Sequence, residues 1–123
     1  MVISRENFAD LIGEDLSGVT FVRDYLQLQF NPPPLLNAYA PVHVRSGESF
    51  SRFGEEHFAN LLIAQIDKVV RDVNVALGDA LTIRFEDNSE IAISLRLEDM
   101  VEGEALVFHG RHNRFVVVTV DDV

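Results

Sequence analysis

The stretch Val69-Val70-Arg71-Asp72-Val73-Asn74-Val75-Ala76-Leu77 decides the fold. At helical spacing, Val69, Val70, Val73 and Leu77 prolong the apolar stripe of Phe58, Leu61, Leu62 and Ile66, and one helix would run to Leu77. As a strand, the same segment puts four β-branched valines on a pleated surface, where their stiff side chains pack best. An echo elsewhere in the chain favours the strand. Leu26-x-Leu28-x-Phe30 recurs as Leu81-x-Ile83-x-Phe85. Val22-Arg23-Asp24 precedes the first copy and Val70-Arg71-Asp72 the second, with Leu11-Ile12 and Leu62-Ile63 further upstream. The order helix, strand, strand, strand then occurs twice, and the first copy has a strand where residues 69–75 would fall. The expectation is a helix from near Glu55 to about Ile66, followed by a strand. The three matches need offsets of 51, 48 and 55 residues. Duplication with loop insertions and chance likeness between amphipathic strands both remain open.

Working outward, Ser4 is placed to cap a short helix that buries Phe8, Leu11 and Ile12 and stops at Gly13. Gly18 opens a strand, Arg23-Asp24 can turn the chain, and Tyr25–Phe30 reads as the next strand, alternating Leu26, Leu28 and Phe30 with Gln27 and Gln29. Asn31-Pro32-Pro33-Pro34 is a stiff connector. Leu35–Val44 reads as a third strand, with Pro41 suggesting a sheet edge. Residues 45–54 look like a linker. Beyond Gly78-Asp79, Leu81–Phe85 and Ile91–Leu97 form a hairpin, 98–104 an acidic loop, and Leu106–Phe108 with Phe115–Val120 a second hairpin. The end, Asp121–Val123, reads as frayed. The predicted fold is α+β: two short helices on a mainly antiparallel sheet of about seven or eight strands. It is one domain over residues 1–123, with pseudo-repeat halves at approximately 1–45 and 55–120.

Composition narrows the chemistry. An apolar content of 47% supports a packed core, and no cysteine is present to form a disulfide, a thiolate metal site or a catalytic thiol. The N-terminus lacks the apolar region of a signal peptide, and no apolar run approaches the roughly 18 residues of a membrane span. A cytoplasmic protein with no membrane partner is expected. Twenty acids against ten bases give a net charge of −10, which disfavours nucleic acid, whose binding rests on Lys and Arg displacing counterions. The excess acid serves solubility or a basic protein partner. Nine of the ten bases are arginine and only Lys68 is lysine.

No nucleotide loop or nucleophile elbow is present. The carboxylate pairs Glu14-Asp15, Glu55-Glu56, Glu86-Asp87, Glu98-Asp99 and Asp121-Asp122 fall in predicted turns or helix ends, where solvent keeps them ionised. His109 and His112 stand three apart, but Arg111 between them opposes a cation, so neither a metal nor another cofactor is expected. The candidate binding residues are His109, Arg111, His112 and Arg114, the one basic concentration in an acidic chain. Such a hairpin tip can grip a carboxylate on a partner or on a second copy's 98–104 loop. Phe50, Phe53 and Phe58 read as packing beneath a loop or as the wall of a ligand pocket.

Leu81-x-Ile83-x-Phe85-x-Asp87-x-x-x-Ile91-x-Ile93, preceded by a helix and a valine strand, resembles a pattern in small bacterial α+β domain families, some of them immunity-protein-like. The resemblance implies a non-enzymatic bacterial domain, one version being an acidic protein that covers a nuclease's basic cleft. The functional expectation is a non-catalytic protein-interaction module that self-associates or binds a basic partner. The alternative is a small-molecule-binding domain, or a small hydrolase- or isomerase-like enzyme, with a pocket between helix and sheet.

Overall fold

The computed structural model describes residues 2–123. The fold is α+β, with ten strands in two antiparallel sheets of five and little helix. The strands are β1 (Gly18–Val22), β2 (Tyr25–Gln29), β3 (Leu35–Ala38), β4 (Val42–Ser46), β5 (Ser49–Arg52), β6 (Val70–Ala76), β7 (Ala80–Phe85), β8 (Glu90–Ser94), β9 (Glu104–His109) and β10 (Phe115–Thr119). One α-helix, α1 (Phe58–Ile63), and 3-10 helices at Arg5–Leu11, Leu97–Asp99 and Val120–Asp122 complete the chain.

The decisive stretch is a strand. Val70–Ala76 pairs along β7, with Val73 opposite Ile83 and Val75 opposite Leu81. Val70 and Val73 are buried, while Arg71 and Asn74 face out. The helix before it is shorter than predicted. Its chain turns at Asp67, which adopts φ +78°, and the β-branched residues beyond gain more from a sheet than from a continued helix.

The first sheet runs β1-β2-β3-β9-β10 and the second β6-β7-β8-β4-β5. Each three-stranded meander is therefore completed by a hairpin from the other half of the chain. The echoed residues fall in register: Leu28 lies opposite Leu36 and Ile83 opposite Ile91, and the Phe30 amide donates to Pro34 O (3.0 Å) as the Phe85 amide does to Ser89 O (2.8 Å). Where the halves meet, Asp15 bridges Val69. Around that bridge the hydrogen bonds come in matched pairs. The Val70 amide donates to Glu14 O (2.8 Å) and the Leu16 amide to Lys68 O (3.0 Å); the Gly13 amide donates to Val70 O (2.8 Å) and the Asp67 amide to Leu16 O (2.7 Å). Gly13 and Asp67 share a positive φ, +87° and +78°. The Val-Arg-Asp matches are not equivalent, since Arg23 lies in the β1–β2 turn and Arg71 inside β6.

The inward residues of both sheets merge into one core. Leu26, Leu28, Phe30, Leu36 and Phe108 come from the first sheet and Val44, Leu81, Ile83, Phe85 and Ile91 from the second. Phe8 and Leu11 join from the N-terminal 3-10 helix and Phe58 and Leu62 from α1. α1 rests on β1, β4 and β5, and the N-terminal 3-10 helix on β6.

Several expectations need correction. The single sheet of seven or eight strands is two sheets of five, because the chain crosses from one sheet to the other at Tyr39-Ala40-Pro41. Leu35–Val44 is thus two strands, both interior, and Pro41 marks the crossing point and not an edge. Residues 45–54 hold β5 and its turn instead of a linker, since Ser49–Arg52 pairs back along β4. The N-terminal helix is 3-10 in form, with the Asn7 side chain accepting from the Ser4 amide at 2.8 Å. The chain end is ordered: Val120–Asp122 forms a 3-10 turn in which Asp122 Oδ2 accepts from the Thr119 amide at 2.8 Å.

Candidate functional site

Tyr25 and Tyr39, the two tyrosines of the chain, sit just outside the last cross-strand pair of β2 and β3, Leu26 with Ala38. Adjacent antiparallel positions bring side chains on one face within contact, and the two rings lie 5.0 Å apart at 42°. The same face carries Gln27, whose amide donates to Asn37 Oδ1 at 3.1 Å. The segment between β8 and β9, from Leu95 to Gly103, passes across this end of the sheet. It is held by buried Met100 and Leu95 and by the Val120 amide donating to Gly103 O (2.9 Å).

Between this strap and the ends of β2 and β3 opens a cleft of about 410 Å³. Leu26, Ala38, Ala40, Val42 and Phe53 form its apolar floor, with Tyr25 and Tyr39 beside them. Asp24, Glu98, Asp99, Glu102 and Glu104 ring it, and among the described residues no basic side chain lines it. Two of the acids are anchored: Glu98 pairs with Arg96 at 3.0 Å, and Asp99 accepts from Ser94 Oγ at 2.6 Å. The Arg96 hydrogen bond holds the Glu98 carboxyl below its ordinary range. Asp24, Glu102 and Glu104 carry no ion pair among the described residues. Burial raises the Tyr39 hydroxyl's pKa, helped by Tyr25 and by the charge of Glu104. The phenol therefore stays neutral and feels a negative field. Val101 at the rim is 89% exposed.

A second cleft of about 520 Å³ shares the wall formed by Pro41, Val42, Glu98 and Asp99 and continues past His43, Arg52, Asp79 and Arg96. Its charges are mixed. His43 stacks on Phe50 at 5.0 Å, and burial, then the charge of Arg45, lowers its pKa, so it is neutral at pH 7. Arg45 and Arg52 lie over the Phe50 ring at 4.7 and 5.2 Å.

Of the basic tip, His109, His112 and Arg114 are exposed and Arg111 is half-buried, and both arginines are ion-paired within the chain. Arg111 pairs with Glu14, Arg114 with Asp10 (3.2 Å), and Asp10 also accepts from the Arg111 amide at 2.8 Å. His109 stacks on Phe115 at 5.0 Å. His109, His112 and Arg114 border one shallow depression with Pro33 and Phe115, and Arg111 is not part of it. Two of the four side chains thus tie the β9–β10 turn to the N-terminal segment, Arg114 to the 3-10 helix and Arg111 to Glu14 just beyond it. Among the described residues no three His, Asp or Glu side chains are grouped as a metal would require, and no helix is long and apolar enough to cross a membrane.

The three phenylalanines separate. Phe53 and Phe58 meet at 5.4 Å, Phe21 joins them at 6.4 and 6.5 Å, and Phe50 leaves for the arginines. Phe53 packs on the core and also floors the acidic cleft. Sequence reasoning missed the tyrosine pair, although two tyrosines flanking consecutive antiparallel strands were its signal. Compared with family models, curated proteins and solved structures, the chain matches none.

Proposed function

We propose that the chain is a non-catalytic interaction module whose acidic cleft, flanked by Tyr25 and Tyr39, takes a basic segment of a protein partner. The observation that carries this reading is a cleft ringed by five carboxylates, floored by aromatic and apolar side chains and, among the described residues, lined by no base. An arginine entering it meets ring faces that attract cations and carboxylates that accept paired hydrogen bonds. The cleft is open to solvent along one side, which suits an extended chain more than an enclosed small molecule. With a net charge of −10, the whole molecule draws a basic partner toward this site and speeds the encounter.

The test is titration of a short arginine-rich peptide against tyrosine fluorescence. Glu102→Lys and Tyr39→Ala should each weaken binding by roughly tenfold or more, the usual loss when a central contact is removed. Glu48→Lys makes the same charge change in the β4–β5 turn and should leave affinity within about twofold once salt screens long-range attraction. Equal weakening by Glu48→Lys and Glu102→Lys would show attraction to bulk charge alone and overturn the assignment.

A further inference from the structure

We propose that β10 is a docking edge for a second copy of this chain, joined antiparallel so that two five-stranded sheets become one of ten. The four edges in the molecule are β1, β5, β6 and β10. Exposed edges offer unpaired amides and carbonyls, and proteins blunt them with charges, bulges or cover. Three of the four are blunted. β5 carries Arg52 and has Arg45 and Arg52 folded over Phe50. β6 has a bulge between Val70 and Asp72, with Arg71 exposed there. β1 has α1 beside it and Phe21 against Phe53 and Phe58. β10 reads Phe115-Val116-Val117-Val118-Thr119, with no charge and no proline, and the irregularity of its pairing between Val118 and Thr119 places the extra residue, Ala105, on β9 and not on β10. It occupies in the first sheet the place that β5 occupies in the second, so the contrast compares equivalent positions.

The hydrogen-bond phase shows what is open. The Gly110 amide donates to Arg114 O at 2.8 Å, which sets Val116 and Val118 to bond with β9, opposite Phe108 and Leu106. Phe115 and Val117 therefore direct their amides and carbonyls away from β9, toward the side of β10 on which the sheet has no further strand. The Thr119 amide is already taken by Asp122. Two copies set antiparallel, with Phe115 of one opposite Val117 of the other, would make four hydrogen bonds from these open groups alone.

Charge selects the direction. The start of β10 lies beside His112 and Arg114, the latter exposed although it also pairs with Asp10, and its end beside Asp121 and Asp122. Antiparallel pairing sets the basic end of each copy against the acidic end of the other; parallel pairing would set like against like. Phe115, 56% exposed, would be covered by the second copy's Val117. The proposal does not depend on the acidic cleft, which lies at the ends of β2 and β3.

The experiment is sedimentation of the full chain in physiological salt from micromolar to submillimolar concentration. The weight-average mass should rise from 13.8 kDa toward twice that value. Val117→Pro removes one outward amide, and Val117→Lys keeps the amide but adds an edge charge. Each should weaken association at least tenfold with the circular dichroism spectrum retained. If Val117→Pro fails to fold, Val117→Lys decides. Phe50→Lys makes the same change on the β5 edge and should leave the dimer intact. A wild-type chain that stays at 13.8 kDa throughout, Val117 variants that associate as the wild type does, or dissociation by Phe50→Lys overturns the proposal.

Discussion

Lys68, the one lysine, ties the turn after α1 to the β7–β8 turn. Its Nζ reaches Asp87 Oδ2 at 2.8 Å, Gln65 Oε1 at 2.9 Å and Ser89 Oγ at 3.3 Å, and Gln65 and Ser89 are buried. The hydrogen bond from Lys68, with a further one from Ser89, pulls the Asp87 carboxyl down to about 2. The sign follows from linkage: a carboxyl bound more weakly by protons in the folded state adds stability above its ordinary pKa of 3.8 and loses it as pH falls toward 2. Because Asp87 is half exposed, solvent screening limits the gain to less than about 1 kcal/mol. Melting of Asp87→Asn and wild type should differ at pH 7, with the difference shrinking between pH 3.8 and about 2; a difference that persists at the acid end would contradict the linkage. None of this was legible beforehand. The sequence shows Lys68 as a singleton, and only the fold brings Gln65, Asp87 and Ser89 around it.

Among the elements, β6 is the one most open to misreading. Its valines satisfy helical spacing and strand propensity alike, and the echo in β2 and β7 tipped the reading correctly. Val73→Ala separates the two physically. In a helix, alanine would be favoured by a few tenths of a kcal/mol. In β6, Val73 is buried opposite Ile83, and losing its methyl groups should cost roughly 2–3 kcal/mol in transfer and cavity energy. Denaturant melts would decide by sign alone. The strands with regular alternation, β2 and β7, were legible because one buried face imposes a period of two. The short strands β4 and β5 were not, because RSGESFSRFG alternates nothing and its pairing is set by a hairpin with Gly47 at φ +59°. The cleft was half legible. The acidic loop at 98–104 stood out by composition, but the tyrosine pair beside it needs the β2–β3 register. The basic tip was legible as a cluster, but the ion pairs of its arginines were not, because Asp10 and Glu14 lie about a hundred residues away in the chain.

Across the whole molecule, the halves interlock. β4 and β5 complete the sheet begun by β6–β8, and β9 and β10 complete the sheet begun by β1–β3. Neither sheet can lose its hairpin without exposing the shared core, so one cooperative transition is expected, as for most domains of this size. Near-ultraviolet dichroism of Tyr25 and Tyr39 reports the first sheet, and amide signals of Ile83 and Ile91 in nuclear magnetic resonance report the second. Their denaturant midpoints should coincide; separate midpoints would mean that the sheets unfold independently. Such interlocking lies beyond sequence pattern, because the hydrophobic period of a hairpin does not record which sheet receives it.

The exchanged hairpins also change what the exposed turn at Gly54-Glu55-Glu56-His57 is for. A protease that cut there would not release two pieces, because each piece would still hold a hairpin inside the other's sheet. The intact turn acts as a tether, holding the two halves at a high effective concentration for one another. Severing it converts a unimolecular folding reaction into a bimolecular one, leaving the cut molecule whole when concentrated and prone to fall apart on dilution.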